Sequence, residues 1–430
     1  LAGPEAAVMK GSPLDFVAER FASLPTRVGG LGFVRGERLA DAAFLGSFAL
    51  VWPVVLRLFP LAIPAGALLG AEAGVGTLGA LREAHRRVTE EEELVKARLE
   101  GLPADTVLAA GVRNRPSIPP LSDWQEEAAT GVQKQLSWVA ASLDYLDLRD
   151  EVVQRGDVRT RAWLSSVTSP DSIGAAFLRC IPAYPALRLD PTLFPVAARA
   201  YLIQPQPAVG LVTACSACQG AVDPEGTHFL TCKPPPTWKL GNPSAALHDG
   251  VVRTLGEGMG KVFPGPRRVF VESREYNEES RGHRPDIVVA EGNEQGGNLF
   301  VEVSVIRPMA RNRLQGAALG GALKAHEVFR RTEHYPARVL AQGTTMVPFV
   351  ADVYGCLGPE SSRFFRRMAD TQRGWDEPVE TRGFTWREKW SQRVAITIAR
   401  TVARTILERG LREQRRVRPT EEPETYNRRP

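Results

Sequence analysis

Two short runs carry the residues best suited to chemistry: Arg284-Pro285-Asp286-Ile287-Val288-Val289 and Asn298-Leu299-Phe300-Val301-Glu302-Val303-Ser304-Val305. Each is rich in β-branched residues and reads as a strand. The polar, glycine-rich stretch 291–297 between them reads as a turn. Folding this hairpin about Glu294 sets Asp286 against Glu302. Directly opposed Cβ atoms in an antiparallel pair stand roughly 5 Å apart. Two carboxylates that close repel each other, and a divalent cation between them reverses the sign. Magnesium takes one or two carboxylates and completes its shell with water and phosphate oxygens. The pair is therefore a candidate metal site for phosphodiester cleavage, with Mg or Mn as the catalytic ion. A plainer reading stands beside it: Asp286 as a turn residue after Pro285, and Glu302 on a solvated strand face.

A second constellation lies upstream. Cys215-Ser216-Ala217-Cys218 is followed after nine residues by His228 and after three more by Cys232. Three thiolates and an imidazole match a closed, tetrahedral structural zinc site. Asp223-Pro224-Glu225-Gly226 supplies the turn between the ligand pairs. The alternative is buried cysteines acting as small hydrophobes beside a surface histidine. A closed site has no open coordination position, so it holds a small module together and carries no catalysis.

These groups need positioning elements, and 430 residues are enough for two or three domains. Five cysteines, an odd and sparse set, argue against a secreted disulfide framework and for a reducing compartment. A net charge of +5 permits a nucleic-acid partner. No signal peptide is visible and the first residue is Leu1, so the chain is read as part of a longer product. Residues 1–205 read as a mostly helical region without a defensible acid, base or nucleophile cluster. Within it, 42–75 is the most apolar stretch. Arg57, Pro53, Pro60 and Pro64 interrupt it, which fits buried, kinked helices and no membrane span. Residues 79–100 read as a solvated helix. Residues 122–155 read as a long one, opened by Ser122-Asp123 with Glu126 as capping partner, and 170–203 read as further helical packing.

The knuckle occupies 206–236. An α/β domain is expected over 243–357: a helix after Asn242-Pro243-Ser244 with His248 and Asp249 in its first turns, a strand at 268–272, the hairpin, a helix at 315–331 containing Lys324, and strands at 335–341 and 346–353. Period two places Glu302 and Ser304 on one strand face. A C-terminal helical region is expected over 358–410, with one long helix at 386–410. Residues 411–430, rich in arginine, acids and proline, are expected to be a disordered tail. The whole is a multi-domain chain.

A cysteine–histidine knuckle, a His-bearing helix, Arg284-Pro285-Asp286, and a strand bearing an acid and ending near Arg307-Pro308 together resemble the C-terminal region of non-LTR retrotransposon polyproteins. There, a reverse transcriptase is followed by a zinc knuckle and a restriction-endonuclease-like domain of the PD-(D/E)XK class, which nicks target DNA. The resemblance is best over 215–350. It is thinner upstream, where Gly29-Gly30-Leu31-Gly32 and Ala42-Ala43-Phe44-Leu45-Gly46-Ser47 look like the segment downstream of the polymerase palm. It implies a restriction-endonuclease-like fold, with Pro285-Asp286 and Glu302 as the metal-binding acids. Glu272 is similar to an acid sometimes found on the preceding strand. Ser304 stands where a lysine is usual, and Lys324 is the candidate for a lysine moved to the helix; alone it reads as a solvated helix residue. The resemblance also implies DNA and element RNA as partners, no membrane, no obligate small-molecule ligand, and a nuclear location. No Asp-Asp pair occurs in a Tyr-x-Asp-Asp context, so polymerase activity does not carry over. The departures leave a second reading open: an inactive nucleic-acid-binding remnant.

Overall fold

The computed structural model describes residues 13–33, 36–58, 77–100, 102, 132–180, 182, 184–232, 242–263, 265, 268–272, 284–293, 296–334, 343–373 and 386–417. The chain divides into two compact units, Glu19–Asp157 with Thr168–Pro170, and Leu1–Ala18 with Val158–Val167 and Asp171–Pro430.

The first unit is helical. Ala42, Leu45 and Ala49 of α1 (Gly36–Leu58) pack with Leu81, Ala84 and Val88 of α2 (Thr77–Glu100) and with Val132 and Leu136 of α3 (Val132–Gln154). The spacing of three and four is one helical face. Gly46 permits the close approach of α1 and α3, since a Cβ there would stand 2.5 Å from that of Gln133. Arg38 bridges Glu91 at 2.9 Å and Asp144 at 3.0 Å, tying the same three helices at their rim. Of the stretch 42–75, expected as buried, kinked helices, the described part is one helix that passes Pro53 and ends at Leu58. Nor is it wholly buried, because Val51 and Leu58 are 56% and 68% exposed. Residues 59–76 lie outside the described residues, as do Ser122, Asp123 and Glu126. Among the described residues no helix is long and apolar enough to cross a membrane.

The second unit opens with α4 (Val158–Val167), whose Trp163 is fully buried and donates from Nε1 to the Tyr201 carbonyl at 2.7 Å. The helical packing expected over 170–203 resolves into 3-10 turns at Gly174–Phe177 and Pro185–Leu187 and one α-helix, α5 (Leu193–Tyr201). Pro182 and Pro185 lack the N–H that a continuous helix needs.

A four-stranded mixed sheet follows α6 (Pro243–Val262), which Asn242 caps by accepting from the Ser244 N–H at 3.1 Å. Strands β1 (Val269–Val271), β2 (Ile287–Val289), β3 (Leu299–Ile306) and β4 (Thr345–Asp352) lie in that order. The first three are antiparallel, and β4 is parallel to β3. A parallel return requires a crossover, which here includes α7 (Leu314–Ala318) and α8 (Ala322–Phe329). The single helix expected over 315–331 is thus two: the chain turns at Gly320, φ 74°, a conformation that glycine adopts at little cost. The strand expected at 335–341 lies outside the described residues.

Phe349 of β4 meets Phe365 of α9 (Pro359–Arg373) at 5.8 Å between ring centroids, and Phe365 meets Trp386 at 5.4 Å. Trp386 begins α10, which runs to Val417. Residues 411–417 therefore belong to this helix and not to a tail; Arg409, Gly410 and Glu413 are buried along it, so its packing continues past the expected end.

Candidate functional site

The paired ladder couples Ile287 to Val301 and Val289 to Leu299. Extended by one residue, the same register sets Asp286 opposite Glu302. On the other side, the Glu272 N–H donates to the Asp286 carbonyl at 2.8 Å, continuing the β1–β2 ladder. Glu272, Asp286 and Glu302 thus form one row across the sheet. Residues two steps along form a second, apolar row on the same face, where Phe270 packs with Val288, Phe300 and Met346.

Each acid of the row has its own polar partner. Asp286 Oδ2 accepts from the Val303 N–H at 2.7 Å and lies 3.1 Å from His248 Nε2. His248 comes from the second turn of α6, and its Nδ1 lies 3.0 Å from Asp249. The hydrogen bond to Asp286 outweighs burial and lifts the imidazole to about 9, so it is a cation at neutral pH. Glu302 is buried and accepts from Arg330 Nη1 at 3.1 Å. Glu272 is turned away by a positive φ of 49° and pairs with Arg284 at 3.3 Å.

The basic residue at Glu302 is therefore Arg330, not Lys324. Lys324 is exposed on α8. Arg330 lies in the π-helical turn that follows α8. Arg307 and Arg313 flank the same region. Burial, and then the neighbouring Arg313, push Arg307 down to about 10. Burial followed by Arg313 and Arg330 hold His326 down at about 4, which leaves it neutral.

The second site is local. The donor atoms of Cys215, Cys218, His228 and Cys232 all lie within 4.8 Å of one another, with Cys215 Sγ 3.6 Å from Cys232 Sγ and Cys218 Sγ 3.3 Å from His228 Nε2. The backbone closes this cluster. Cys215 N–H donates to the Gly220 carbonyl at 2.9 Å, and Asp223 accepts from the Thr227 and His228 N–H groups, both at 2.8 Å, capping the 3-10 turn Thr227–Leu230. Burial and the adjacent thiols push Cys232 up to about 12. Three thiols this close cannot all ionise without a cation, a charge that a metal ion such as zinc would supply. The donor set thus fits a structural metal such as zinc. The buried Arg409 of α10 donates from Nη1 to the carbonyls of Phe229 at 2.6 Å and Cys232 at 2.7 Å. The knuckle is thereby seated on the long helix.

No known protein family, curated protein or solved structure matches the chain.

Proposed function

We propose that the chain carries a metal-dependent DNA endonuclease with a restriction-endonuclease-like fold, as in the C-terminal region of a non-LTR retrotransposon protein acting in the nucleus. The observation that carries this reading is the cross-strand pairing of Asp286 and Glu302, on a hairpin followed by a crossover to the parallel strand β4. The His-bearing helix, Pro285-Asp286 and the acid-bearing strand follow one another in the order on which the sequence resemblance rests.

Asp286 and Glu302 are the residues that would hold Mg or Mn, which supplies Lewis-acid charge and a water acidified toward hydroxide. The Val303 N–H fixes the Asp286 carboxylate. Arg330 is poised to offset negative charge developing on a phosphate oxygen, a term that is large in a site with little water. The zinc knuckle contributes structure and a surface toward DNA or RNA, and no small-molecule ligand is required.

A second reading, an inactive nucleic-acid-binding remnant, is favoured by Ser304 at the usual lysine position and by the exposure of Lys324. Nicking of supercoiled plasmid separates the two. The nuclease reading expects relaxed circles with Mg or Mn from the wild type and none from Asp286→Ala. Wild-type protein as inactive as the variant, in both metals and on several DNA substrates, favours the remnant.

A further inference from the structure

We infer that Ser304, Arg307, Arg313 and Arg330 form a phosphate-binding subsite beside the acid row. It deepens the nuclease reading by giving the nucleic-acid strand a seat, yet it requires neither metal nor cleavage.

Ser304 follows Glu302 on the same strand face and is 5% exposed. Its hydroxyl is buried and has no hydrogen-bond partner among the described residues. Leaving a buried donor unmade is costly, so such a group in a native fold calls for an explanation, an unbound ligand among them. Two further donors are in the same state: the Nε atoms of Arg307 and Arg330. Arg307 uses Nη2 to bond the Ser244 hydroxyl at 3.0 Å, which fixes its plane. Arg330 uses Nη1 on Glu302.

The charge is unbalanced as well. Among the described residues, Glu302 is the carboxylate paired with Arg330, while neither Arg307 nor Arg313 has a carboxylate partner. The arginines destabilise one another, Arg313 acting on Arg307 and Arg330 on Arg313, on top of burial. His326 beside them stays neutral and adds no compensating charge. Arg307 and Arg313, which lack acid partners among the described residues, together with the buried Ser304 hydroxyl and with Arg330, whose Nη1 holds Glu302, have the donor chemistry of a tetrahedral oxyanion site. A phosphate there would pair with the guanidinium groups of Arg307 and Arg313 and offset their mutual repulsion. Two sources share this chemistry: a phosphodiester of a DNA or RNA strand, and a small phosphate.

The test uses the full chain in EDTA at low salt. One arm follows thermal unfolding with inorganic phosphate, and the other the anisotropy of a fluorescein-labelled DNA oligonucleotide. The wild type is expected to melt higher in phosphate than in chloride of equal ionic strength. Arg313→Met should abolish that gain, weaken DNA binding about ten-fold and lower the salt slope by about one. Without ligand, Arg313→Met should be as stable as the wild type or more so, because it removes a repelling charge. Ser304→Ala, a smaller change, should weaken the same binding without unfolding the sheet. Protection by phosphate with DNA binding unmoved identifies a small phosphate as the occupant. A DNA effect without phosphate protection identifies the strand. If phosphate gives no protection and both variants bind DNA with wild-type affinity and salt slope, the subsite does not exist, whatever the nicking assay shows.

Discussion

Asp286 and Glu302 face each other across the β2–β3 ladder, and each carboxylate is held by a different cation, His248 at 3.1 Å and Arg330 at 3.1 Å. Opposed acids alone would repel and weaken the ladder. Here the repulsion is already offset, so removing one acid does not simply relieve strain. Removing Asp286 leaves His248 with Asp249 alone as its acid partner, and removing Glu302 takes away the carboxylate that Arg330 bonds. Asp286→Ala should therefore lower stability in EDTA, by about 1–3 kcal/mol for the lost charged hydrogen bonds. Urea unfolding at pH 7 measures it, and a variant more stable than wild type would show that repulsion dominates.

The His248–Asp286 contact has a definite pH signature in the absence of metal. The imidazole is raised from 6.5 to about 9 in the folded state. A group raised on folding contributes stability that is complete below its unfolded value and is lost as pH rises through the folded one. The contact should therefore stabilise fully below about pH 6.5 and fade as pH passes about 9. In His248→Gln the decline between these limits should flatten. Parallel pH curves for the two proteins in urea unfolding would rule out the linkage.

The knuckle should bind one zinc per chain. Metal analysis on reduced protein measures the ratio, and a strong chelator should release the ion faster as pH falls, because thiolates and imidazole must be deprotonated to bind. Cys218→Ser should lose the metal while the sheet stays folded. Zinc-free wild type that unfolds at the same temperature as zinc-loaded protein would contradict a metal-held module.

Arg409→Met should cost about 2–4 kcal/mol, because it leaves the Phe229 and Cys232 carbonyls short of buried donors. It should also speed zinc loss. Thermal unfolding and chelator kinetics measured together test this; loss of stability with unchanged zinc release would make Arg409 a packing residue only.

The cysteine–histidine cluster was legible because its geometry is local. Its four candidate metal ligands fall within 18 residues, and a C-x2-C turn has few ways to fold. The hairpin register could be counted from its turn, because strand side chains alternate strictly and a slip would turn Val301 and Val303 to the wrong face. The partners of the acids were less accessible. His248 was placed on its helix, but nothing in its spacing says that α6 brings it to Asp286. Arg330 was hidden by reading 315–331 as one helix. Arg330 opens the π-helical turn six residues beyond Lys324, and nothing in its spacing marks it as the side chain that reaches Glu302. Arg409 fell just short of the expected helix end, since its role depends on a segment some 180 residues earlier. The strands at 268–272, in the hairpin and at 346–353 and the long C-terminal helix were foreseen, whereas the short 3-10 turns of 174–187 were read as helix because their apolar spacing mimics one.

Manganese binding followed by EPR tests the shared site most directly. Free Mn(II) is measured during titration of zinc-loaded wild type, Asp286→Asn, Glu302→Gln and the double variant. One ion held by both carboxylates should make each single change weaken binding at least about ten-fold, with the double change costing less than the two combined. Equal Mn affinity in all four proteins would contradict a metal site at Asp286 and Glu302.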